Sequence, residues 1–132
     1  MAIAGPVDDE YQMCLTNESA INNSIITGCA EGASSLAKGL LSVAMHTIVQ
    51  KGRSIDSTEA SDREATLVEL KIRWGDLIEA QCAAEGVLIG TPAANICTVE
   101  LLDTLVQRME NLAAESIGDI VTCRAPIHGK CD

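Results

Sequence analysis

The chain has 132 residues and a formal net charge of −10, from 19 Asp and Glu against 9 Lys and Arg, and 47% of its residues are apolar. That is one domain's worth of chain with enough apolar side chains for its own core, which excludes a disordered polymer. The charge makes nucleic acid and anionic lipid poor partners, and a core with one Trp, one Tyr and no Phe excludes base-stacking platforms. An acidic surface most simply serves solubility, and it also steers basic proteins in from a distance. No apolar run reaches the roughly 18 residues that a membrane span needs.

Residues 1–7 are expected to form a flexible tail. Within it, Ala2-Ile3-Ala4 looks like the small-residue remnant beside a signal-peptide cleavage site, which predicts a mature exported protein whose signal peptide is not part of this sequence. Asp8, Asp9 and Glu10 suit the positive end of a short helix carrying Tyr11 and Cys14. A break is expected at Asn17 to Ser19. From Ile21 the apolar residues Ile25, Cys29, Ala33, Leu36, Leu40, Val43 or Ala44, and Ile48 recur at a helical step. Gly28, Gly32 and Gly39 weaken that run. They predict either a joint between two helices near Gly28 to Ser35, which is the favoured reading, or a close approach of another backbone.

Lys51 to Asp56 reads as a turn. Asp56-x-x-Glu59 and Ser61-x-x-Glu64 then fit the capping-box pattern that opens a helix. Ala65, Leu67, Val68, Ile72, Leu77, Ile78 and Cys82, with Trp74 as the largest core residue, predict a long helix ending at Gly86. Thr91-Pro92 opens another helix, with Thr91 as cap, and Ile96, Cys97, Leu101, Leu105, Val106 and Leu112 continue it. Gly86 to Gly90 is the expected turn of this helical hairpin. Beyond Glu115 the pattern fades. The fold class predicted is therefore all-α: a single domain over 1–132, a disulfide-stapled bundle of three to four main helices with an irregular, disulfide-pinned tail at 120–132.

Six cysteines with no Cys-x-x-Cys pattern point to three disulfides and an oxidising compartment rather than to zinc or thiol redox chemistry. Alternating helices bring Cys14, Cys29, Cys82 and Cys97 to one end of the bundle. The expected bonds are Cys82–Cys97, Cys14–Cys29 and Cys123–Cys131, with crossed pairings among the first four as the alternative.

Little in the chain carries chemistry. Cys123, His128 and Cys131 match no common zinc spacing, and oxidised cysteines cannot ligate. His46 reads as an edge residue. Glu69, Asp76 and Glu79 read as a solvated face rather than as carboxylates flanking a cleft. Asn17-Glu18-Ser19 and Asn22-Asn23-Ser24 match the glycosylation sequon, a pattern with many false positives. No nucleophile elbow, phosphate loop or zinc-protease motif appears. The expectation is a binding protein, with no catalytic residue, no metal and no cofactor.

Trp74-x7-Cys82-x2-Glu85, then Gly90-Thr91, Cys97, Arg108 and Leu112, resembles the second half of the LprI-type lysozyme-inhibitor domain. Cys14, Thr16, Ile21-Asn22, Cys29-Ala30 and Glu31 resemble its opening. The likeness covers about residues 11–112. It departs where the family's Arg-Asp pair falls on Ile78 and Glu79, where Ser35 to Gly39 replaces the family's Asp-x-x-Leu-Asn, and where its Thr-x-x-Arg has become Thr104-x3-Arg108.

The resemblance implies a periplasmic protein that occludes the active site of a peptidoglycan-cleaving enzyme, either as a lysozyme inhibitor or as an immunity protein against a secreted antibacterial toxin. Its partner is then a basic cell-wall hydrolase or effector. The partner-facing residues expected on this reading are Glu69, Asp76, Glu79, Glu85 and Thr91. The loops Gly86 to Pro92 and Lys51 to Asp56 are candidates for insertion into the target. Homodimerisation is left open. A second reading is an exported helical carrier of a small apolar ligand, against which the tightly packing small side chains argue.

Overall fold

The structure, a computed structural model, describes residues 5–55 and 60–114. Over these residues the regular structure is all α-helix: α1 (Pro6–Thr16), α2 (Asn23–Ile55), α3 (Ala60–Leu88) and α4 (Thr91–Ala114). The predicted cysteine pair 123–131, the candidate ligands Cys123, His128 and Cys131, and the box Asp56-x-x-Glu59 lie outside the described residues. No helix described is long and apolar enough to cross a membrane.

Helix α4 is the axis of the bundle and packs against all three other helices, whereas α2 and α3 touch each other sparsely. Cys97, Val99, Leu105, Val106 and Met109 are buried on it. The main core joins them to Val7 and Tyr11 of α1, to Leu67 of α3, and to Cys29, Ala30, Ala33, Ala37, Leu41, Ala44 and Val49 of α2. Four of those α2 residues are alanines. With so little side chain between them, α2 can lie close to its neighbours, where burial of apolar surface holds it.

That packing explains why α2 departs from expectation. It is one unbroken helix rather than two. Gly28, Gly32 and Gly39 face open space, with no atom near a hypothetical Cβ, so they mark neither a joint nor a close approach. Tertiary burial on the alanine side overrides their poor helix propensity. The helix is also rotated from its expected setting, with Val43 exposed and Leu36 at the margin while Ala37 and Leu41 fill the core. It begins at the cap Asn22, whose Oδ1 accepts from the Ile25 amide at 2.9 Å, and it runs through the expected turn at Lys51 to Ile55. Lys51 Nζ donates to the Ala113 carbonyl and ties the far ends of α2 and α4 together.

Residues 5–7 are held rather than loose. Asp103, buried in the middle of α4, caps α1 from across the fold. One carboxylate oxygen accepts from the Gly5 amide at 2.8 Å and from Gln107 Nε2 at 2.9 Å. The other accepts from the amides of Val7 at 3.0 Å and Asp8 at 3.3 Å. Pro6 has no amide to satisfy. The orphan amides of a helix start are thus met by a side chain distant in sequence instead of by the cap residue itself. A Cβ on Gly5 would lie 2.6 Å from the Asp103 carboxylate, so glycine is required there. Asp8 and Asp9 fall in the first turn of α1, as their charge predicts.

Candidate functional site

Both expected disulfides in the described chain are present, Cys14–Cys29 and Cys82–Cys97, each closing a separation of 15 residues. They lie at one end of the bundle, where Asn95 Nδ2 of α4 donates to Thr27 Oγ1 of α2 at 3.1 Å. Two such bonds suit an oxidising compartment. The second disulfide sits in a small cluster of its own, in which Ile78, Cys82 and Cys97 are buried against Trp74, Leu101 and Leu102. Trp74 is half-buried and touches both this cluster and the main core, so it joins the two.

Beyond that cluster the α3–α4 hairpin closes more tightly than expected. Gly86 does not end α3; the helix runs two residues further, to Leu88. Gly86 has a packing role instead, since its missing Cβ would lie 3.0 Å from the Ala94 Cβ of α4. The chain turns at Gly90, whose φ of +141° suits glycine alone. Its carbonyl accepts from the amides of Ala93 at 3.1 Å and Ala94 at 3.3 Å, so Gly90 rather than Thr91 occupies the cap position of α4. The result is an apex of three consecutive large aliphatic residues in water: Val87 at 87%, Leu88 at 80% and Ile89 at 76% exposure. Ile21 and Ile96, at the same end, are exposed as well.

The expected partner-facing residues are dispersed rather than gathered. Glu69 is exposed on α3 and paired with Arg73 at 2.7 Å, a contact worth only a few tenths of a kcal/mol on a helix surface. Asp76 and Glu79 edge an open groove of about 680 Å3 between α2 and α3, which Met45, Val68, Ile72 and Gly75 also line. Glu85 is half-buried; it accepts from Gln81 at 2.9 Å, and its carboxylate lies 3.3 Å from the Cys97 sulfur. Thr91 is exposed as the first residue of α4. Only Glu85 and Thr91 stand near the apex. His46 is exposed on α2 beside Met45, Glu64 and Val68. Both sequon asparagines, Asn17 and Asn22, are exposed where α1 passes to α2.

Among the described residues, no group of three or more His, Cys, Asp or Glu side chains is placed to hold a metal ion. The sequence reading missed the cap at Asp103 and, within the loop Gly86 to Pro92 that it did single out, the exposed aliphatic tip. Asp103 could have been found as the lone acid in the apolar run Leu101 to Val106. The apex could have been found as three aliphatics at a turn, where polar residues are the norm. Comparison with protein-family models, with curated proteins and with solved structures returns no match for this chain.

Proposed function

We propose that the protein is an exported, periplasmic inhibitor of a peptidoglycan-cleaving enzyme, acting by occluding the target's active site, as a lysozyme inhibitor or as an immunity protein against a secreted toxin. The observation that carries this reading is the disulfide-locked α3–α4 hairpin. In it, Trp74, Cys82, Glu85, Gly90 and Cys97, which resemble the LprI-type pattern, come together as one rigid element. A rigid acidic body loses little freedom when it docks on a basic enzyme, and its charge quickens the encounter.

The carrier reading needs an enclosed apolar cavity. The space between α2 and α3 is instead an open groove edged by Lys71, Asp76 and Glu79.

Inhibition of purified basic lysozymes of the c and g types, in a cell-wall lysis assay with the stoichiometry measured by light scattering, tests the proposal. The expected result is a 1:1 complex whose association slows as salt is raised. Absence of inhibition, together with lipid co-purifying with the protein, overturns it in favour of the carrier.

A further inference from the structure

The exposed aliphatic residues at the disulfide end sit within an unusual distribution of charge. The first basic residue of the chain is Lys38, and between Arg73 and Arg108 there is no Lys, Arg or His. Topology brings the parts of these two cation-free stretches around Cys14 to Cys29 and Cys82 to Cys97 to the same end of the bundle through the two disulfides and the Thr27–Asn95 bond. The carboxylates of these stretches include Glu18, Glu31 and Glu100 in the open and Glu85 half-buried, and none belongs to the tip itself. From Gly86 to Val99 the chain carries no charge at all. The end of the molecule is thus a neutral aliphatic point within an anionic collar.

From this we propose that Val87, Leu88 and Ile89 form the plug that enters the glycan cleft of the target hydrolase, while the surrounding carboxylates meet a basic rim. The proposal rests on the inhibitor reading above, narrows its two candidate loops to the tip of one, and adds the side chains that insert and the chemistry of their socket. Glycan-cleaving enzymes place a pair of carboxyl groups at the centre of the cleft. An acidic point would be repelled there and would lose its hydration. A neutral aliphatic point is not repelled, and it can fill the apolar walls on which sugars ordinarily stack.

Gly90, Gly86 and the Cys82–Cys97 bond hold this point in shape, so little order has to be gained on binding. The apex side chains also lie outside both buried clusters, so changing them leaves the fold intact.

The test measures inhibition constants of the full chain against c-type and g-type lysozymes, with the helical CD signal and thermal midpoint of each variant checked against the parent. The triple variant Val87→Ser, Leu88→Ser, Ile89→Ser is expected to inhibit at least tenfold less well. Leu88→Asp is expected to inhibit less well than its isostere Leu88→Asn, because only the former brings charge to the cleft carboxylates. Val43→Ser, on the exposed side of α2, should inhibit as the parent does.

Undiminished inhibition by the triple variant overturns the plug and leaves the inhibitor reading standing. Failure of the parent itself to inhibit overturns both. Two further measurements on the parent name other occupants of the apex. Sedimentation with phosphatidylcholine vesicles that the triple variant abolishes, or a dimer that it dissolves, overturns the plug in favour of a bilayer or a second copy.

Discussion

Asp103 is the residue on which the start of α1 depends. Its carboxylate is met by three backbone amides and one side-chain amide, with the bonds from Gly5 and Val7 buried and those from Asp8 and Gln107 part-buried. Hydrogen bonds to a charged group contribute about 1.5–3 kcal/mol each, and stranding their buried donors adds to the loss. Asp103→Ala should therefore lower stability by about 3 kcal/mol or more, read as a shift in denaturant midpoint, with exchange protection lost first in α1.

Tyr11 offers a second test at this scale. Burial, and then the nearby charge of Asp8, push its phenol above the ordinary 10.0. Below that value the phenol is neutral whether the chain is folded or not. As pH rises beyond it, the unfolded chain gives up the proton first, so stability falls progressively until the raised folded value is passed. Tyr11 is the single tyrosine, so the phenolate absorbance band follows it directly. It should titrate late in the folded protein, and Tyr11→Phe should flatten the alkaline loss of stability.

Among the elements, α2 carries an unspent reserve of stability. Gly28, Gly32 and Gly39 lie in its interior with nothing near a would-be Cβ. Alanine at each should stabilise the helix by about 0.5–1 kcal/mol, and the triple variant should melt several degrees higher in a calorimetric scan. Gly90 is the opposite case, since its backbone lies where other residues are strained.

These positions also show what was legible beforehand. The existence and order of the helices followed from apolar spacing, and the gathering of Cys14, Cys29, Cys82 and Cys97 at one end followed from the alternation of helix direction, which left crossed pairings among them open until the structure placed Cys14–Cys29 and Cys82–Cys97. The unbroken run of α2 was hidden because local propensity argued against it and packing against the other helices, α4 above all, decided it. The rotation of α2 was hidden for a related reason: alanines at 30 and 37 count for little in a hydropathy pattern, yet they are what a close helix contact selects, and of the expected alternatives at Val43 and Ala44 it is Ala44 that is buried. The cap at Asp103 joins residues nearly the whole chain apart, and no local signal encodes such a pairing. The acids at 69, 76 and 79 were legible as charge along a helix, but the sequence does not show that they spread along α3 away from the hairpin apex.

At the scale of the whole molecule, two buried clusters share Trp74, and the smaller one depends on a covalent bond. Cys82→Ser with Cys97→Ser reopens a loop of 15 residues, which costs about 3 kcal/mol. The loss should be uneven. The hairpin end around Ile78 should exchange its amides quickly, while Val106, Met109 and Ala37 in the main core stay protected. Trp74 is the single tryptophan, so its fluorescence should report this local opening before the global transition.

The bareness of the hairpin apex has a consequence over longer times. Val87, Leu88 and Ile89 contribute nothing to either cluster, so selection can recode them without endangering the scaffold. On the plug proposal, a lineage facing a changed target would redirect this protein through a few nucleotide substitutions at three neighbouring codons. Descendants would keep the glycines and cysteines and differ at the point.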